Sequence, residues 1–390
     1  MANDFSNVLP ILQDEANVVG RELTGFIGAS YKNISAARAG LNQTVNYPVV
    51  PAGSTASVTP AATPPAGSDI TPTNGSMSMS NLKKYSWNWT GEQAEALQNG
   101  DKSQYADIVR QTMKQGIRAL VNEIELALWM EAYKNSSRAY GTAATSPFNT
   151  ASDMSDLANI RRILNDNGAP MDDRHLVLGS AGYANFLAKQ PIAFKANEAG
   201  QRSTQANGFI PQLYGFDIRE SYPITTHTAG TNNGSATTTN AGYAAGVKDI
   251  NLASAGTGTI LAGDVITIAS ENASHKYVVT EGDTDVSDGG AISIGAPGLR
   301  VAIGASARAI TTTATYTPNV ALQRNGLHLV MRQPNDGNDG AADVATVQDE
   351  ASGLVFQLAR YGQYMQSSWE LRVLYGVKAA NPHLIATLIG

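Results

Sequence analysis

The chain contains no cysteine, which excludes disulfides and thiolate-bound metals. Charge is also scarce. Asp, Glu, Lys and Arg make up 15% of the 390 residues, against about 25% in ordinary soluble domains. The net charge is −6, and Lys and Arg are scattered. Binding a phosphate backbone draws its free energy from clustered cations that release counterions. No specific nucleic-acid binding is therefore expected. No stretch nears the roughly 18 apolar residues of a membrane helix, so no membrane association is expected either. Met1 to Asn7 carries Asp4 and no basic residue, so no signal peptide is expected. No tandem repeat is visible.

What is present is a packed protein. Apolar residues make up 42%, enough for more than one core. Gly, Thr, Ser, Asn and Ala fill the place of the missing charges. Such a surface suits a protein whose outside is covered by neighbours.

Asp4 to Gly28 reads as an amphipathic helix, with Ile11, Leu12, Ala16, Val19, Leu23, Phe26 and Ile27 at spacings of three and four. Gly28 is a plausible stop. A terminal amphipathic arm docks on its own core or on a neighbouring subunit. Leu41 to Val50 reads as extended chain. Pro51 to Ser76 is rich in Pro, Ser, Thr, Ala and Gly and reads as a mobile loop. Tyr85, Trp87 and Trp89 then alternate with Ser86 and Asn88, the period of a strand. Two strands flanking a long tip make an extended hairpin, which is marginal in water without another surface.

Asp101 to Lys134 carries the strongest helical stripe, from Tyr105 through Ile108, Met113, Ile117, Leu120, Val121 and Ile124 to Leu128. At about 1.5 Å per residue such a helix spans roughly 50 Å. Asp153 to Asn167 predicts a second helix, Leu176 to Leu178 a short strand, and Ser180 to Lys189 a third helix. Ile210 to Ile218 is a further apolar segment. Thr225 to Asn240 is almost wholly small and polar and reads as a flexible loop. Short β-type runs separated by turn signals fill Ser221 to Tyr316 and predict a small barrel or sandwich. Apolar alternation resumes from Leu327 to Ile389. The chain is thus α+β, with the barrel interrupting an α/β domain.

In this order the parts resemble the tailed-phage major capsid fold, often called the Hong Kong 97 fold. The segments NVALQRNGLHLVMRQP (Asn319 to Pro334), YGVKAANPHLIATLIG (Tyr375 to Gly390) and RHLVLGSAGYANFLAKQ (Arg174 to Gln190) carry the resemblance. The inserted barrel is similar to that of coat proteins typified by a short-tailed Salmonella phage. The resemblance implies an N-terminal arm over 1–40, an extended hairpin loop over 41–90 and a peripheral domain with a spine helix over 91–150. It further implies an axial α/β domain over 151–220 and 317–390, and a barrel over 221–316. It implies self-assembly as pentamers and hexamers into an icosahedral shell in the virion, built in the host bacterial cytoplasm. The implied partners are a scaffolding protein, a portal and, in some shells, a decoration protein. No enzyme activity and no cofactor are implied. Phe26, Ile27, Tyr85, Trp87 and Trp89 are the candidate subunit-interface residues, as apolar ends of the arm and as aromatic anchors.

Other chemistry is weaker. His175 follows Asp172 and Asp173, a conceivable acid–base or metal cluster, but charged residues before a strand are ordinary turn residues. Asp283, Asp285 and Asp288 lack a closing Glu for Ca²⁺ and better fit a hairpin turn. Gly295 to Ala307 lacks the Gly-Lys-Ser/Thr ending of a phosphate loop, and Gly179 to Gly182 lacks the spacing of a nucleophile elbow. The alternatives to a phage shell are a cellular nanocompartment of the same fold, a glycan-binding adhesin using Trp87 and Trp89, and a hydrolase using His175 with Asp172.

Overall fold

A computed structural model describes residues 24–49, 72–93, 102–150, 153–188, 212–232, 235–269, 275–335, 343–348 and 353–390, together with Thr55, Ser57, Val58 and Pro60. The expected arm helix from Asp4 and the expected loop tip therefore lie largely outside the described residues.

The spine is α2 (Lys102–Lys134), 33 residues long and within one residue of its expected start. Its stripe is long because no proline or helix-stopping loop residue interrupts it. Met113, Ile117, Leu120, Val121, Ile124 and Leu128 are buried against a six-stranded sheet. Its strands are β1 (Tyr31–Ala39), β4 (Asn81–Thr90), β15 (Leu327–Pro334), β16 (Asp343–Gln348), β17 (Val355–Gln363) and β18 (Gln366–Ala379). The long β18 organises it. Along one edge it pairs with β4 from Gln366↔Thr90 to Tyr375↔Asn81. Along the other, β17 takes residues 366–372 and β15 takes 374–379.

The hairpin differs from its expected form. The strand expected over Leu41–Val50 is β2 (Thr44–Val49). It pairs with β3 (Thr73–Ser78), not with the strand bearing Tyr85, Trp87 and Trp89. That strand is β4 and belongs to the spine's sheet. Alternation fixes that a segment is a strand, but backbone pairing is blind to sequence distance. The base of the hairpin packs through Met77, Met79 and Tyr47 on Ala39, Val330 and Leu374.

A second sheet of eleven strands runs β13-β10-β11-β5-β19-β14-β6-β8-β7, with β12 on β11 and β9 on β12. Its α/β part comprises β5 (Arg138–Gly141), β6 (Arg174–Leu178), β7 (Gln212–Leu213), β8 (Phe216–Glu220), β14 (Pro318–Gln323) and β19 (Ile385–Ile389). Helices α3 (Ser155–Asp166) and α4 (Ser180–Leu187) bury Leu157, Ile160, Ile163, Leu164 and Phe186 in a core with Leu176, Leu178 and Leu388. β14, β19 and β6 are buried at every position, as strands covered on both faces must be.

Between β8 and β14 lies the inserted segment, with β9 (Asp249–Leu252), β10 (Val265–Ile268), β11 (Lys276–Glu281), β12 (Gly290–Ile294) and β13 (Ile310–Thr312) around their own core. Thr225 to Asn240, expected as a flexible loop, is integrated into this segment wherever it is described. Thr238 N–H donates to the Arg308 carbonyl and Ile310 N–H to the Ala236 carbonyl, both at 2.9 Å. Thr239 N–H donates to the Asn251 carbonyl at 3.0 Å and Ala253 N–H to the Thr237 carbonyl at 2.9 Å. Residues 236–239 thus bridge the β9 side to the β13 side. A polar composition does not leave a segment loose when both its backbone edges are paired.

Candidate assembly surface

The five candidate interface residues fall in two places. Phe26 and Ile27 lie on α1 (Gly25–Ala29) and are 0% and 1% exposed within this chain. Both were expected at a subunit interface, and within one chain they already lie in the core. Both join the core of α2, and a single carboxylate fixes their backbone. Glu125 accepts N–H bonds from Phe26 at 2.6 Å and Ile27 at 2.9 Å, and the Ser221 hydroxyl at 2.6 Å. Burial pushes the Glu125 pKa up, and these hydrogen bonds work against that rise. The pair therefore anchors the end of the arm to the spine.

Tyr85, Trp87 and Trp89 on β4 are half-buried and line the spine-facing side of the sheet. Tyr85 lies over Gly116, where any side chain would collide with its ring. Trp87 stacks on Trp369 at 6.3 Å with 6° between planes, and Arg360 sits over the Trp369 ring at 5.6 Å. These rings already have partners in their own chain. What β4 leaves open is its outer edge, which pairs with no other strand among the described residues. An unpaired edge is a template for added strands.

Sequence reasoning missed the most exposed apolar pair among the described residues. Tyr364 and Met365, at the turn between β17 and β18, are 92% and 64% exposed. Gly91 N–H donates to the Met365 carbonyl at 2.9 Å, so the end of β4 holds this turn. Met365 takes a positive φ of 54°, as the tight turn demands. Two apolar residues at a hairpin tip between alternating strands were the available signal.

The chemical candidates do not gather into a reactive site. His175 is fully buried and meets Asp173, not Asp172. Its Nε2 is 2.9 Å from Asp173 Oδ1, and Asp173 is also held by Arg324 Nε at 2.7 Å. Burial foremost, with the Arg219 charge, holds its pKa below the ordinary value. Asp283 Oδ1 accepts Asp285 N–H, and Asp285 accepts the N–H and hydroxyl of Ser287. These carboxylates shape turns, as the hairpin expectation had it. Gly298, within the Gly295–Ala307 run, has a φ of +91° and marks a bend. Ser180 is the first residue of α4, and the Gly179 N–H before it is held by Asn319 Oδ1 at 2.8 Å.

Sequence reasoning also missed a buried pair. His227 Nε2 lies 2.9 Å from Asp264 Oδ1, and its Nδ1 is 3.4 Å from the Tyr133 hydroxyl at the end of the spine. Burial, with the Asp264 charge, raises Tyr133 to about 12. The pair joins the insert to α2. A cleft of about 310 Å³ beside Tyr140, Pro147 and Ile389 contains Asp156 and Lys276. Asp156 accepts Phe148 N–H and Lys276 donates to the Gly141 carbonyl, so both have protein partners. Among the described residues no group of three metal-ligating side chains forms, and no helix is long and apolar enough to cross a membrane.

No protein-family model matches the chain. No curated protein matches it in sequence. Solved structures do match. A chain of the bacteriophage PhiM1 mature capsid is 11% identical, with TM-score 0.45, over 93% of this chain and 86% of that one. A chain of the cyanophage P-SCSP1u capsid is 11% identical, with TM-score 0.47 and the same coverage of 93% and 86%. A chain of the cyanophage A-1(L) capsid asymmetric unit is 10% identical, with TM-score 0.51, over 100% of this chain and 94% of that one. At so low an identity the likeness lies in the path of the chain, and the protein shares the mixed α+β fold of that phage capsid chain.

Proposed function

We propose that the protein is the major capsid protein of a tailed bacteriophage, a shell-building subunit with no catalytic site. The observation that carries this is the whole-chain likeness in fold to the cyanophage A-1(L) capsid chain. The open edge of β4, the projecting Tyr364–Met365 tip and the small hairpin of β2 and β3 support it. Among the described residues the first two are surfaces that one chain leaves unused, and the third projects from a base packed on the sheet.

Copies joined head to tail close into rings when the rotation allows, here pentamers and hexamers that tile an icosahedral shell around DNA. Contacts that are each weak add up, because every contact raises the effective concentration for the next. The hairpin covers residues 41–80, since β4 belongs to the spine's sheet, and it lies over a neighbouring copy. The inserted segment is a small barrel, a proposal supported by the hydrogen bonds of residues 236–239 to both of its sides. The resemblance of the sequence to tailed-phage coat proteins adds a scaffolding protein and a portal as partners. It also adds a decoration protein on the finished shell, assembly in the bacterial cytoplasm and a final place in the virion.

Negative-stain electron microscopy of the purified protein tests this, with the candidate scaffolding protein added in a second arm. Closed particles or large curved sheets are expected. Small species alone in both arms would overturn the proposal.

A further inference from the structure

Cations outnumber anions where α3, β5 and the inserted segment meet. Arg138 on β5 is only 4% exposed. Its Nη2 lies 3.3 Å from Asp166 Oδ2, 3.3 Å from Asn167 Oδ1 and 3.4 Å from the Ile163 carbonyl. All three are long for a charge-assisted bond, and its Nε has no partner. Arg300 turns to the same carboxylate. Its Nη2 is 4.0 Å from Asp166 Oδ2, and its Nη1 donates to the Asp166 carbonyl at 3.2 Å. The backbone of Arg300 is fixed by its N–H bond of 2.9 Å to the hydroxyl of buried Tyr277, the residue opposite Arg138 across the β11–β5 pairing.

Arg162 stands one helical turn before Asp166 on α3 and has no carboxylate partner among the described residues. His275, just ahead of β11, has a buried Nδ1 without a partner. Burial, then the charges of Arg138, Arg300 and Arg162, hold His275 below its ordinary pKa. These groups therefore share one electrostatic neighbourhood.

One carboxylate balances one guanidinium. Three guanidinium groups are present, and the most buried of them makes only long contacts and leaves its Nε without a partner. A buried cation left short of counter-charge is costly, and the planar guanidinium fork matches an oxyanion. We propose that Arg138, Arg162, Arg300 and His275 form an oxyanion site that takes a phosphate or carboxylate group between α3 and the inserted segment.

Thermal unfolding of the full chain at fixed ionic strength, in chloride, phosphate or acetate, tests the proposal. A saturable rise in Tm over chloride is expected. A rise with phosphate alone assigns the site to a tetrahedral anion. An equal rise with acetate assigns it to carboxylates, such as those of protein side chains. Arg162→Ala and Arg300→Ala remove exposed arginines and are expected to weaken the apparent affinity about tenfold or more, the usual cost of one charged hydrogen bond. Arg38→Ala, on β1 in the other sheet, is expected to keep the full response. The proposal is overturned if phosphate and acetate behave as chloride does. It is equally overturned if the Arg162 and Arg300 variants respond as the unaltered protein does.

Discussion

The backbone N–H of Phe26 donates to Glu125 Oε1 at 2.6 Å across a sequence separation of 99 residues. With the bonds from Ile27 and Ser221, one buried carboxylate ties α1 and the start of the inserted segment to the middle of the spine. Glu125→Ala strands three donors out of reach of water. We expect it to lower the unfolding free energy by about 3–5 kcal/mol. Glu125→Gln keeps one acceptor and is expected to cost less. Urea unfolding reads both, and an unchanged midpoint for Glu125→Ala would show that the latch contributes nothing.

Acid is expected to loosen the fold from near pH 6.5 downward. Burial is the leading cause that depresses His175, His275, His328 and His383 below their ordinary value of 6.5. A depressed folded pKa means that the unfolded chain binds protons first. The stability these groups contribute is therefore complete above 6.5 and is lost as pH falls through their folded values. Glu125, raised by burial, acts in the opposite sense. A variant isolates the effect. The urea midpoint of His175→Asn should fall less between pH 7 and pH 5 than that of the unaltered chain. Parallel falls would remove His175 from the account.

Tyr364 and Met365 project from the turn between β17 and β18 and contribute little to one chain's core. Tyr364→Ser with Met365→Ser is expected to change unfolding free energy by less than about 0.5 kcal/mol, as exposed substitutions usually do. Particle yield should fall severalfold, measured by sedimentation velocity and electron microscopy. Full yield would mean that this tip touches no neighbour.

The residues between the two hairpin strands offer a second test of assembly. Replacing 53–70 by a short Gly-Ser linker leaves β2 and β3 paired through Thr44↔Ser78 to Val49↔Thr73. We expect a folded chain with unchanged Tm that no longer closes shells. Normal particles would argue that the segment is dispensable.

Much of the local structure was legible. The unbroken stripe of α2, the alternation of Tyr85, Trp87 and Trp89, and the β6–α4 pair each follow from a periodicity that neighbouring residues carry. The hairpin was half legible. Its first strand is where extended chain was expected, but its partner β3, TNGSMS, begins within the stretch that reads as loop. Small polar residues with low strand propensity are held there by pairing with β2 and by Met77 packing on the sheet. The candidate surface was less legible. Phe26 and Ile27 look like an amphipathic face, and nothing local says whether that face meets its own chain or another.

The sequence by itself determined the kinds of element and their order: a long proline-free helix, alternating strands, and a run of short strands between β8 and β14. Those follow from spacing, turn residues and composition, which act over a few residues. Tertiary structure decided the partners. β4 joined β18, with Asn88 opposite Ser368, because backbone hydrogen bonds accept any strand that packing brings into register. The polar stretch from 225 to 240 became ordered where its backbone edges found partners. Glu125, His227 and Arg138 acquired their roles only through burial beside residues remote in the chain, where the loss of water makes each polar contact matter.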